Sequence, residues 1–168
     1  MLDEMLDFFS LFLKKKSNAK FLFITKDSPS EILIRVHKKH ISMSSIIIKH
    51  SSREMMPSYI GLSNVSIFFI LPLYSKKASS PTKMGEIMNL GIPIICNSGV
   101  GDVDEVMKQS MPELLVKEFN NKEYERVIDL TLNDFKPNRE IIKQTAHNYY
   151  SLNNGVNKYL EIYNQILN

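Results

Sequence analysis

From Ser79 to Asp102 the chain reads SSPTKMGEIMNLGIPIICNSGVGD, and this run narrows the fold more than any other stretch. It reads as a loop, a helix start, a short helix, a Gly turn, a buried strand and a Gly-rich loop. That succession belongs to a parallel α/β sheet, where loops and helix N-termini gather beyond the carboxyl ends of the strands. Ser80 is a natural N-cap, and Pro81 suits the first helical position, where no amide proton is needed. The amides of Thr82 and Lys83 then point outward at the positive end of the helix dipole and form an anion site. Gly91 ends the helix in a left-handed turn, and Pro93 blocks its continuation.

On the helical wheel Met84, Ile87 and Met88 face the sheet, whereas Thr82, Lys83 and Glu86 share the other side. Lys83 adds a point charge suited to phosphate. Glu86 can accept hydrogen bonds from two neighbouring sugar hydroxyls while the amides hold phosphate. The plainer alternative stays open on spacing alone: a capped helix with a solvated Glu on its open face.

The flanking sequence repeats the alternation. Leu2, Met5, Leu6, Phe9, Phe12 and Leu13 recur at helical spacing, which predicts an amphipathic helix over residues 2–16. FLFIT at Phe21–Thr25 and SIIIK at Ser45–Lys49 read as short strands, with a helix from Glu31 to His40 between them. A helix over Arg53–Leu62 follows, capped by Ser51 or Ser52. Val65–Leu71 reads as a strand buried on both faces. The helix Pro81–Leu90 and the strand Ile92–Cys96 come next, then a helix Asp104–Gln109 and a short edge strand Leu114–Lys117. Helices over Lys122–Leu132, Asn138–Tyr150 and Gly155–Leu167 close the chain. The last aligns Val156, Tyr159, Leu160, Tyr163 and Leu167 on one face. The pattern predicts one α/β domain over residues 1–168. Its core is a doubly wound, Rossmann-like parallel sheet of about five strands, followed by C-terminal helices.

Composition sets outer limits. The chain has 168 residues, 43% of them hydrophobic, enough for one core. A net charge of +3 with scattered lysines gives no case for nucleic acid. The single cysteine, Cys96, lies in an apolar run and points to a reducing compartment. No apolar stretch is long enough to span a bilayer, and Asp3, Glu4 and Asp7 do not suit a signal peptide.

Other polar groups carry weaker signals. Thr25–Asp27 could line a phosphate pocket or simply form a strand-exit turn. Gly99 and Gly101 permit close backbone approach to a ligand, and Asp102 suits the cap of the next helix. His37 and His40 are three apart without a third ligand, so a solvated face is the reading and no metal site is expected. Lys76 and Lys77 read as exposed loop cations. His147 and the pair Tyr149–Tyr150 read as core or interface.

The segment SSPTKMGEIMNLGIPIICNSGVGDVDEV resembles the donor-site segment of the group 1 retaining glycosyltransferases, two-domain enzymes of the GT-B fold. That family carries a Glu-x7-Glu pattern, a small-residue helix, Gly-x-Pro and an apolar strand. Glu86 matches the second Glu, which in the family binds the donor ribose. The first Glu would fall at Ala78 and is missing, as in a branch of the family with S-x-P-x-K here. The resemblance implies that Ser80, Thr82 and Lys83 meet the donor phosphates, and that Lys49, His50 and Ser51 border the nucleobase. It implies the donor-binding, C-terminal half of an enzyme that transfers sugar from a nucleotide sugar to a cell-surface glycan in polysaccharide biosynthesis. The glycan or lipid-linked acceptor would be held by an N-terminal domain, and the isolated chain would not transfer sugar. No cofactor or catalytic metal is expected. The setting would be cytoplasmic or at the inner face of the membrane. A sugar-nucleotide epimerase-like domain and a non-catalytic receiver-like module are the alternatives.

The resembled domain begins with a central strand for which this chain has no counterpart. It would lie between the strands matching Phe21–Thr25 and Val65–Leu71. Without it these two strands are expected either to close up directly or to accept a strand from another chain, giving a non-native dimer.

Overall fold

The structure, a computed structural model, describes residues 1–167. Helix α1 (Leu2–Lys15) opens the chain and is followed by strand β1 (Phe21–Ile24), helix α2 (Pro29–Lys38) and strand β2 (Ile46–Lys49). A short helix α3 (Met56–Gly61) leads to β3 (Ser66–Ile67), α4 (Thr82–Asn89), β4 (Ile94–Asn97), α5 (Val103–Ser110) and β5 (Leu115–Val116). Helices α6 (Asn121–Asp129), α7 (Arg139–Tyr150) and α8 (Leu152–Leu167) complete it.

Every strand pairing is parallel, as the alternation of strands and helices requires. The sheet is not continuous, however. β1 pairs with β2 in one ribbon, and β3, β4 and β5 form a second in that order. β1 and β3 do not close up, which overturns the first of the two outcomes expected for them. Between them lies a cavity of about 670 Å³.

The two ribbons have separate cores. Leu6, Phe9, Ile32, Val36 and Ile41 pack over β1 and β2, whose Phe21, Phe23, Ile46 and Ile48 are partly buried against them. The larger core gathers Phe8, Phe69, Met84, Met88, Ile94, Ile95, Val106 and Met107 with residues of α6 and α7. Helix α1 serves both, because Leu6 and Phe9 fall on one side of its apolar stripe and Phe8 on the other. Phe12 is packed against both cores. Ion pairs fix α1 in place: Arg35 of α2 with Asp3, Lys39 with Asp7, and Lys15 with Asp129 of α6. All three pairs are partly exposed, so their value lies in orientation more than in stability.

Several expectations need correction. The Val65–Leu71 run forms a ladder only at Ser66–Ile67 and is half-buried, because its outer edge has no neighbour. The chain still follows β4: the Phe68 amide donates to the Ile95 carbonyl, and the Asn97 side chain takes the Ile70 amide at 2.8 Å and returns a bond to the Ile70 carbonyl at 2.9 Å. The helix expected over Arg53–Leu62 starts only at Met56. Ser51 does not cap it; its hydroxyl donates to the Ser52 carbonyl instead. Helix α8 starts at Leu152 and runs through Gly155, and its apolar residues are exposed, Leu160 at 53% and Leu167 at 81%.

Candidate functional site

The site expected from sequence lies where α4 begins. Met84, Ile87 and Met88 are buried and anchor the helix, whereas Thr82, Lys83 and Glu86 are exposed along its other side. The wheel placed all six correctly because 3.6-residue periodicity is strict over two turns. The C-terminus also forms as read. Gly91 takes φ +69°, its amide donates to the Met88 carbonyl at 2.8 Å, and the Ile92 amide reaches the Ile87 carbonyl. This is the paired closure that a left-handed Gly permits.

The helix start differs from the expectation. Pro81, not Ser80, occupies the N-cap position, with extended backbone, and no side chain caps the helix. The Met84 amide donates to the Pro81 carbonyl at 2.9 Å. The amides of Thr82 and Lys83 precede it and have no intrahelical acceptor, as for any first turn. Ser80 turns away from the helix and donates its hydroxyl to Asp102 Oδ2 at 2.7 Å.

That bond ties the loop before α4 to the loop after β4. The two backbones touch at Gly101, which takes φ +47°; a Cβ there would stand 1.5 Å from the Ser79 carbonyl oxygen. Any side chain at 101 would force the loops apart. On the other side of the loop, Asp104 accepts from the Ser98 hydroxyl and from the Gly99 amide at 2.9 Å. Asp102 sits at the N-cap position of α5 but makes no capping bond, contrary to the sequence reading.

Beneath α4 the ring of Tyr150 lies against Gly85 so closely that a Cβ at 85 would come within 2.5 Å of it. Burial first, then the charge of Asp102, pushes the Tyr150 hydroxyl up to about 12. That hydroxyl and Asp102 Oδ1 are both buried, with no hydrogen-bond partner among the described residues. Sequence reading missed Gly85 and the role of Asp104, and placed Tyr150 only as core or interface. The one available signal was a Gly inside an otherwise good helix, which usually marks close packing.

The remaining candidates are dispersed. Lys49 and His50 are exposed at the exit of β2, and Ser51 is buried beside them. Among the described residues no hydrogen bond joins these three to the α4 loops. At the exit of β1, Thr25 and Asp27 bond to each other, through hydroxyl to carboxylate and amide to hydroxyl, both at 3.0 Å. Lys76 and Lys77 are exposed, and Lys77 Nζ lies 5.7 Å from the Tyr74 ring centre. His37, His40 and His147 are exposed, and among the described residues no three His, Cys, Asp or Glu side chains converge. Cys96 is fully buried in β4, and burial raises its thiol far above the ordinary value, so it acts as a core residue. No helix of the described residues is long and apolar enough to cross a membrane.

Residues 1–148, most of the chain and all of the elements up to α7, match the family model described as glycosyl transferases group 1. No curated protein matches the chain.

Proposed function

The chain belongs to the group 1 glycosyltransferases, and from that premise we propose that it binds the nucleotide-sugar donor at the start of α4. One observation carries the reading. Thr82, Lys83 and Glu86 project from the exposed side of a short helix whose opposite side is locked into the core by Met84, Ile87 and Met88. Such anchoring holds the first-turn amides in place without reorganising, which is what charge stabilisation demands.

In this reading the first-turn amides and Lys83 take the diphosphate, and Glu86 accepts the two ribose hydroxyls. As the glycosidic bond to the donor breaks, negative charge grows on the leaving diphosphate. The helix dipole and Lys83 oppose that charge, and no catalytic metal or other cofactor is required of this chain's residues. Ser80 belongs to the phosphate site as its latch: its hydroxyl holds Asp102, and its backbone leads into the amides of Thr82 and Lys83. Lys49, His50 and Ser51 supply backbone and side-chain surface near the nucleobase. The acceptor is a cell-surface glycan or lipid-linked saccharide, met through an N-terminal domain on the cytoplasmic side of the membrane. The family match favours transfer over the epimerase-like and receiver-like readings.

A thermal-shift comparison tests the proposal. Nucleoside diphosphates should raise the unfolding temperature, since a ligand at about 100 times its Kd stabilises by about 2.7 kcal/mol. Acetyl phosphate, the probe for a receiver-like module, should not. A shift with acetyl phosphate and none with any nucleoside diphosphate would refute the donor-site reading.

A further inference from the structure

Tyr150, the last residue of α7, lies beneath α4 with its ring fixed in place. A Cβ added to Gly85 would stand 2.5 Å from the Tyr150 Cγ and 2.8 Å from its Cβ. The Tyr150 hydroxyl is buried and has no hydrogen-bond partner among the described residues. Nearly all buried donors in folded proteins are met, so this one stands out. Asp102 is its counterpart. Its Oδ2 accepts from the Ser80 hydroxyl at 2.7 Å, whereas its Oδ1 is buried and unmet among the described residues. The two unmet groups are complementary, since a phenol donates and a carboxylate only accepts. They also act on one another: burial is the main influence on the Tyr150 hydroxyl, and the charge of Asp102 and the hydroxyl of Ser80 come next.

These groups are ordered from solvent inward. Ser80 is exposed, whereas Asp102 and Tyr150 are half-buried behind it. The carboxylate is the part that is able to turn. Asp102 makes no capping bond to α5, so its side chain is not committed to its own helix. The Tyr150 ring is held by its contact with Gly85 and stays where it is. One carboxylate thus lies between two hydroxyl donors, with the outer contact made and the inner one unmade.

We propose that Tyr150 is a positioning residue: its hydroxyl takes over Asp102 when the donor diphosphate arrives, so that Ser80 turns its own hydroxyl to a phosphate oxygen. The inference rests on the donor site proposed above at the start of α4. Ser80 stands just before that site, and in the free chain its proton is committed to Asp102. Moving that proton to phosphate without a substitute would leave a carboxylate unpaired beside a second anion, unfavourable on both counts. A bond from Tyr150 satisfies the carboxylate and draws it inward, away from the phosphate. Each hydroxyl keeps its proton throughout, and only the acceptors change. The reserve bond is weaker than the bond from Ser80, because Asp102 must turn to make it. A phenylalanine at 150 would fill the same space against Gly85, so the hydroxyl alone serves the exchange.

Calorimetry and denaturant unfolding of the full chain test this with Tyr150→Phe, Ser80→Ala and the double variant. The probe is the tightest-binding of the diphosphates of adenosine, cytidine, guanosine, thymidine and uridine, beside its bare nucleoside. Tyr150→Phe keeps the ring and removes an unmet buried hydroxyl, so the unfolding midpoint should hold or rise. Diphosphate affinity should fall about three- to tenfold, with nucleoside affinity unchanged. In the Ser80→Ala background the same change should cost no further diphosphate affinity, because no hydroxyl remains to be released. It should lower the unfolding midpoint there, because Tyr150 has become the partner of Asp102. Equal losses for diphosphate and nucleoside would make Tyr150 a packing residue and overturn the proposal. Undiminished diphosphate affinity in Tyr150→Phe would overturn it as well. Additive midpoints across the two substitutions would overturn the takeover and leave the donor site standing. A parent chain that binds none of the diphosphates would instead overturn the donor-site reading, and the takeover with it.

Discussion

Ser80, Asp102 and Gly101 show how few atoms hold the α4 loop in place. Among the described residues the Asp102 carboxylate has one hydrogen bond, from Ser80, and its other oxygen is buried without a partner. Ser80→Ala removes that hydrogen bond from a partly buried carboxylate and is expected to cost about 1–3 kcal/mol, measured by denaturant unfolding. An unchanged midpoint would show that the latch contributes nothing to stability. Gly101→Ala meets the Ser79 carbonyl and should both destabilise the fold and loosen the loop, seen as faster amide exchange at Thr82 and Lys83. Lys83→Ala should weaken binding of a nucleoside diphosphate more than of the bare nucleoside, because its proposed partner is phosphate. Equal losses for the two ligands in calorimetry would make Lys83 a general structural residue instead. The exposed side of the helix was legible in the sequence because periodicity alone fixes it. The latch was not, because the Ser80–Asp102 bond and the Gly85–Tyr150 contact join residues far apart in the chain.

At the scale of elements, helices were read more faithfully than strands. A stripe such as Leu6, Phe9 and Leu13 is local information, whereas a strand exists only through its neighbours. Val65–Leu71 has the composition of a buried strand, yet it forms only two ladder residues because its outer edge is unpaired. β5 shows the opposite case. This two-residue strand is stabilised by α6, whose Arg126 donates to the carbonyls of Glu113 and Leu115, while Glu123 accepts from the Lys117 amide at 2.9 Å. The Arg126 hydrogen bond, followed by the Lys117 amide, holds the Glu123 carboxyl below its ordinary value. A depressed folded value contributes stability that is present above the unfolded pKa and lost as pH falls through the folded one. Glu123→Gln should therefore lower stability at neutral pH and flatten the loss of stability below about pH 4.5. A parallel acid limb in parent and variant would remove Glu123 from that role. Helix α8 buries none of its residues, so deletion of residues 152–168 should leave the unfolding midpoint nearly unchanged. A large drop would show that α8 has a packing role beyond its contact with α7.

The whole molecule is two half-cores bridged by one helix. Leu6→Ala, at a fully buried position in the smaller core, should cost about 2–5 kcal/mol. Its effect on amide exchange should be larger in β1 and β2 than in β4, since Leu6 packs with the first ribbon. The α/β class, the parallel pairing and the C-terminal helices follow from the alternation of apolar runs. The split of the sheet was expected only from the family resemblance, and whether the gap would close depended on how α1 packs. The proposed donor site is where these scales meet: a core that anchors one side of α4, a latch that shapes its entry, and Glu86 on its open side. The direct measurement is calorimetric titration of a nucleoside diphosphate into the parent chain and into Glu86→Ala. The account predicts saturable binding to the parent, weakened in the variant by about 1–3 kcal/mol with thermal stability unchanged. Equal affinity for parent and variant would contradict it.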